Sequence, residues 1–307
     1  MISLVLAEKI FSLFLVMLMG FLIVKSGLLR PEDSRVVSVL SAYLILPCVI
    51  LVSFQVDCSE EVLHGLGLSL AAALMLAAGQ LAISALLGRL GFSREERCSV
   101  VYPNTGNLVI PLIISILGSG YVIYTSPFVS TQLFLLWSHG KAVLCGEKRP
   151  NIAKMLSNIN MLAILAGVLM FAFRLRLPLP VLDAMESVSS MVGPCTMLVT
   201  GMLMGGMDLS KLRSYRRLPL ILVCRLLLMP LVFIFIYKFS GIAALSGLSE
   251  GIMLIAILSV STPTASTVTQ LSQLFGADAA YANVINLATT ILCIATIPLM
   301  VALYQAL

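Results

Sequence analysis

What constrains this chain most is a succession of apolar stretches, each roughly 20 residues long, following one another with only short polar joints between them. No interval is long enough for a water-soluble domain. In hydrocarbon the backbone must satisfy its own hydrogen bonds, so stretches of this length read as membrane-crossing helices. Composition agrees: 60% of residues are hydrophobic and 11% charged, against about 45–50% and about 25% in soluble domains. The chain is therefore expected to be an all-α integral membrane protein, with residues 1–307 forming one membrane domain.

Cutting at charged and Gly/Pro clusters predicts ten spans, near 3–24, 36–55, 62–87, 98–118, 121–143, 157–177, 182–206, 218–239, 250–275 and 279–304. No small-residue cleavage site follows Phe21-Leu22-Ile23-Val24-Lys25, so the N-terminal stretch reads as the first span, not as a signal peptide. The joints alternate in charge. One set carries Lys25, Arg30, Arg35, Arg89, Arg94, Arg97, Lys141, Lys148, Arg149, Lys154, Lys211, Arg213, Arg216 and Arg217; the other carries only Lys9, Arg174, Arg176 and Lys238. The net charge of +5 thus reads as a topology signal and gives no reason to expect nucleic acid as a partner. By the positive-inside rule both termini are expected outside the cytoplasm.

Ten spans around a central cytoplasmic loop divide into five and five, and an odd number per half turns the halves over relative to each other. The expected repeats are 1–145 and 157–307, with a linker at 146–156. Pro47-Cys48 in the second span recurs as Pro194-Cys195 in the seventh, at a separation close to that between Pro111 and Pro263.

Two spans are interrupted by polar residues. Val101-Tyr102-Pro103-Asn104-Thr105-Gly106-Asn107-Leu108-Val109-Ile110-Pro111 breaks the fourth, and Leu258-Ser259-Val260-Ser261-Thr262-Pro263-Thr264-Ala265-Ser266-Thr267 breaks the ninth. Pro103 and Pro111 lack an amide proton, so a helix through them leaves the carbonyls of Ser99 and Asn107 without their usual partners, and Gly106 lets the chain turn between them. Such breaks survive in a membrane only where protein covers them or water reaches them, which makes them candidate sites. If the two cross, each presents the start of its second half-helix, with free amides and a partial charge of roughly +0.5 suited to a carboxylate. Thr262 before Pro263 has the form of an N-cap, and Asn107 has the form of a cap for the outer half of the fourth span. The freed carbonyls of Ser99, Asn107 and Ser259 suit a cation.

Asn104-Thr105-Gly106-Asn107 followed by Pro111-Leu112 resembles the asparagine/glycine motif of the auxin efflux carrier family. Ser261-Thr262-Pro263-Thr264-Ala265, Leu274-Phe275-Gly276-Ala277-Asp278 and Thr296-Ile297-Pro298-Leu299 are similar to that family's C-terminal end, and Leu46-Pro47 also fits. The resemblance covers essentially the whole chain. It implies a carrier of organic anions with two inverted five-helix repeats, related to bile-acid sodium symporters and sodium/proton antiporters, whose broken fourth and ninth helices cross at the substrate site. Carried over by position, that site is Asn104, Gly106, Asn107, Pro111, Thr262, Pro263 and Thr264. The chain lacks the long hydrophilic central loop of many plant members, since only about Cys145 to Leu156 separates the halves, which points to a compact prokaryotic member of an inner membrane.

Arg225 lies inside the eighth span. It is expected either to face the interior, where it would meet the anion as a further binding residue, or to reach the cytoplasmic surface or pair with a helix end. Glu186, Glu250 and His64 read as hydrated groups at span ends, and His139 and Lys141 as interface anchors. The seven cysteines are scattered and read as buried small hydrophobes. No span carries paired aspartates, which argues against a cation/proton antiporter. No HExxH, GxSxG or phosphate loop supports an enzyme, and Asp278 stands by a turn without a partner.

The expected function is a secondary carrier of a small organic anion working by alternating access. The alternatives are a sodium-coupled symporter and a non-transporting receptor or sensor. No catalytic, metal or cofactor residues are expected; sodium or a proton is the candidate coupling ion. Expected partners are the anion and the lipid bilayer, with a homodimer left open.

Overall fold

The computed structural model describes residues 2–57, 59–145, 159–206, 215–241 and 248–307; the side chains of residues 2–10, 106, 107, 270, 273 and 274 lie outside the description. The expected linker at 146–156, and with it Lys148, Arg149 and Lys154, therefore falls outside the described residues, as do Lys211, Arg213 and the side chain of Lys9.

Every regular element among the described residues is helical. In chain order these are α1 (Ile2–Lys25), α2 (Pro31–Ser53), α3 (Glu60–Arg89), α4 (Arg94–Val101), α5 (105–116), α6 (119–145), α7 (Ile159–Ala172), α8 (Leu179–Gly205), α9 (Leu218–Phe239), α10 (Ser249–Ser261), α11 (Ser266–Leu274) and α12 (Ala279–Ala306). Five of them, α2, α3, α8, α9 and α12, are each long and apolar enough to cross a membrane. The chain is a multi-pass membrane protein.

Several apolar helices contain proline without stopping. Three of the four π-helical turns among the described residues, Ser41–Ile45, Thr105–Val109 and Cys224–Leu228, end two residues before Pro47, Pro111 and Pro230. Proline removes one amide and crowds the carbonyl four residues back, and a widened turn at that carbonyl lets the helix carry the ring through. This corrects the expected break around Pro111: helix already begins at Thr105, so the interruption is confined to Tyr102-Pro103-Asn104, and the Gly106 backbone lies in the helical turn.

The described chain divides into two compact units, each drawn from both sequence halves: Met1–His64, Gly106–Ser126 and Leu156–Asp208 form one, and Gly65–Thr105, Pro127–Met155 and Leu209–Leu307 the other. In the first unit α1 lies directly against α8. A Cβ added at Gly201 would sit 1.8 Å from the Met17 carbonyl oxygen, and one at Gly20 would sit 2.4 Å from that of Leu198. Two backbones this close are the usual solution for helices in lipid, where no hydrophobic effect drives them together and contact must come from small residues. The Phe54 ring fills the space beside Gly167 in the same way.

In the second unit α3 packs on α9, with Phe233 against Gly79 and the Tyr237 hydroxyl donating 3.0 Å to the Ala72 carbonyl. The polarity of this unit is inside out by soluble standards. Arg225, Gln80, Gln132, Ser99, Thr262, Thr264 and Thr289 are buried, while Leu74, Leu86 and Phe235 are exposed. With lipid as the solvent the exposed leucines lose nothing, whereas polar groups must find partners within the protein.

Candidate substrate site at the crossing of two broken helices

The site is built where α4 ends and where α10 gives way to α11, all within the second unit. Pro103 and Thr264 form an antiparallel bridge. Its hydrogen bonds run from the Asn104 amide to the Pro263 carbonyl, 2.9 Å, and from the Ala265 amide to the Tyr102 carbonyl, 3.0 Å. The sequence favours this pairing, because a residue that precedes proline is biased toward extended backbone. Tyr102 accordingly has ψ 110° and Thr262 ψ 158°. Each extended segment thus satisfies the other's backbone.

A helix end leaves its last four carbonyls without intrahelical donors. At the end of α4 all four are accounted for. Cys98 accepts the Tyr102 amide, Ser99 the Thr264 hydroxyl (2.8 Å), Val100 the Arg225 Nη1 (3.0 Å), and Val101 the Gln80 Nε2 (3.0 Å). Gln80 in turn exchanges amide hydrogen bonds with Gln132, which fixes its orientation. At the end of α10 the Ser259 carbonyl accepts the Thr262 hydroxyl at 3.0 Å, and Val260 accepts Arg225 Nη2 at 2.9 Å. The Thr262 carbonyl takes both Nε and Nη2 of Arg225.

Arg225 is fully buried. Of the placements open from the sequence, the route to the surface is thereby excluded and pairing with helix ends is observed. The carbonyls foreseen for a cation, those of Ser99, Asn107 and Ser259, are not the ones this guanidinium takes; it bonds the neighbouring carbonyls of Val100, Val260 and Thr262. Ser99 and Ser259 take hydroxyls.

Two further expectations are corrected. Thr262 does not cap the second half-helix: it is the C-cap of α10, and α11 starts only at Ser266 after Ala265. The bridge to Pro103 holds residues 262–265 extended, so the helix cannot start at Pro263. Asn107 is not a cap position either, since the helix is under way from Thr105; its side chain lies outside the described residues.

The structure brings Asn104, Thr262, Pro263, Thr264 and Arg225 together. It places Pro111 elsewhere, in the first unit, where the nearest atom of this residue would meet a Cβ on Gly193 at 3.5 Å. Thr264 is held from both sides, its hydroxyl on Ser99 and its amide on the Thr289 hydroxyl at 3.1 Å. Asn104 is different: it is partly exposed, and no described residue bonds its carboxamide. Beside the crossing, Ser266 and Thr267 open α11 with partly exposed side chains, and their amides are the first of a helix with no side-chain cap.

Sequence reading missed Gln80, Gln132, Thr289 and the Tyr102 hydroxyl. A signal was present for the glutamines, each the lone carboxamide in its span. His139, expected as an interface anchor, is half buried and meets the Tyr102 hydroxyl at 2.6 Å. Asp278 is not partnerless: its carboxylate caps the Tyr281 amide and its own amide donates to Glu95. Next to it the buried Glu96 carboxylate accepts from Ser93, Tyr281 and Arg217, tying the far end of α4 to α9 and α12. No group of histidine, cysteine and acidic side chains among the described residues is arranged to hold a metal ion.

The family model described as membrane transport protein matches the chain in two segments, residues 5–158 and 151–301. No curated protein matches it significantly. Two matched segments that cover nearly the whole length, in a multi-pass helical protein, place the chain in the auxin efflux carrier family of membrane transport proteins.

Proposed function

We propose that this membrane transporter is a secondary carrier of a small organic anion that works by alternating access, with its substrate site at the crossing. The observation that carries the reading is a contrast within the site. The carbonyls at the end of α4 have internal donors, whereas the Asn104 carboxamide and the uncapped start of α11 are, among the described residues, accessible polar groups without them. Free amides at a helix N-terminus and a carboxamide donor suit a carboxylate and not a cation.

In the same reading the chain is one transport domain of ten spans in two inverted repeats, 1–145 and 157–307, joined by a cytoplasmic linker at 146–156. The charge alternation of the joints puts both termini outside the cytoplasm of the inner membrane. Single cysteines introduced in the linker and at Leu307 should label from opposite sides; labelling of both from the cytoplasm would overturn this topology.

The function is tested by flux of labelled monocarboxylates and dicarboxylates into proteoliposomes, with and without a sodium gradient. Saturable uptake independent of sodium is expected. Specific binding without flux would make the protein a receptor, and uptake that requires sodium would make it a symporter.

A further inference from the structure

We infer that Arg225 is the resident cation of the crossing: it fills, as part of the chain, the place that a coupling cation would occupy on the carbonyls of Val100, Val260 and Thr262. The consequence for coupling rests on the transporter reading above; the electrostatic assignment does not.

Two helix C-terminal ends meet here, those of α4 and α10. Each carries roughly −0.5 of an elementary charge, so together they present about −1 in a place sealed from water. Arg225 supplies +1 with no exposed surface. Its guanidinium makes four hydrogen bonds, one to Val100, one to Val260 and two to Thr262, so its planar fork joins both helix ends at once. The remaining carbonyls nearby are also engaged, Ser99 by Thr264, Val101 by Gln80 and Ser259 by Thr262. A sodium ion, which needs several oxygen ligands, would have to compete with a donor at each of the carbonyls of Ser99, Val100, Val101, Ser259, Val260 and Thr262. Arg225 is thus a positioning residue: it acts on substrate through the two breaks whose geometry it fixes.

Removing the side chain therefore leaves a hole shaped and charged for a guanidinium ion. The test is the thermal stability of the purified full-length protein in detergent, for wild type, Arg225→Ala and Arg225→Lys, with methylguanidinium, sodium or choline chloride at equal ionic strength. Arg225→Ala should lose roughly 10 °C in Tm, because three buried carbonyls lose their donors. Methylguanidinium should restore at least half of that loss, saturably, while choline restores none. Arg225→Lys should fall between the two, and wild type should be indifferent to sodium relative to choline.

An Arg225→Ala protein as stable as wild type would overturn the assignment. So would saturable stabilisation of wild type by sodium. Should Arg225→Ala fail to fold, Arg225→Lys decides: a folded Lys variant supports a requirement for charge, and a Lys variant equally lost overturns it. Absence of flux for every anion, with the methylguanidinium rescue intact, would remove the carrier reading and leave Arg225 as the resident cation.

Discussion

The hydroxyl of Thr264 donates, at 2.8 Å, to the carbonyl of Ser99, the carbonyl that Pro103 deprives of its amide four residues later. A break in one helix is therefore repaired by a side chain from the break in another. Replacing Thr264 by Val keeps the shape and removes the donor, which should cost about 1–3 kcal/mol because the acceptor stays buried. Thr264→Ser should retain most of the stability. Thermal unfolding of the two variants in detergent checks this, and equal Tm values for Val and Ser would contradict it.

Gln80 and Gln132 act as a pair, and only Gln80 reaches the Val101 carbonyl. Gln132→Leu should destabilise by about 1–3 kcal/mol because it leaves the buried Gln80 Oε1 without its donor. Adding Gln80→Leu should cost less than the sum of the single changes, with a coupling of at least about 0.5 kcal/mol. A double-mutant cycle on denaturation midpoints measures the coupling, and strict additivity would separate the two residues.

Gly201 admits no side chain, since its added Cβ would overlap the Met17 carbonyl at 1.8 Å. Gly201→Ala should push α1 from α8 and cost about 1–3 kcal/mol or more, the usual penalty of overpacking. Gly67, whose added Cβ meets nothing within 4 Å, is the control. Gly67→Ala should leave Tm unchanged or slightly raised, so similar losses at both positions would argue against the close approach.

Asn104 presents a carboxamide that no described residue bonds. If it meets the transported anion, Asn104→Ala should weaken apparent affinity roughly ten- to hundredfold, in keeping with the about 1.5–3 kcal/mol of a hydrogen bond to a charged group, while Tm stays near wild type. Asn104→Asp should be worse than Ala, because a carboxylate there repels the substrate. Concentration dependence of uptake separates these outcomes, and Asp performing as well as Ala would dismiss an anion at this position.

The sequence alone determined the class and the two segments within which the interruptions fall. Apolar length fixed the helices because hydrocarbon leaves the backbone no other donors, and the residues ahead of Pro103 and Pro263 were biased away from the helical region, a bias that Leu46 and Met229 override ahead of Pro47 and Pro230. Family membership was likewise readable from Asn104-Thr105-Gly106-Asn107 and the C-terminal segments, and the family match agrees. Which proline breaks a helix was not readable: Pro111 and Pro103 look alike in sequence, yet a widened turn carries the helix through Pro111, while Pro103 is opened by its bridge to Thr264. The fate of Arg225 was also a tertiary decision. Its partners, Val100, Val260 and Thr262, are backbone carbonyls, and a carbonyl is present at every residue, so nothing in the side-chain pattern marks the three that fall within reach of its guanidinium. Only the crossing of two helix ends, distant in the chain, brings them there.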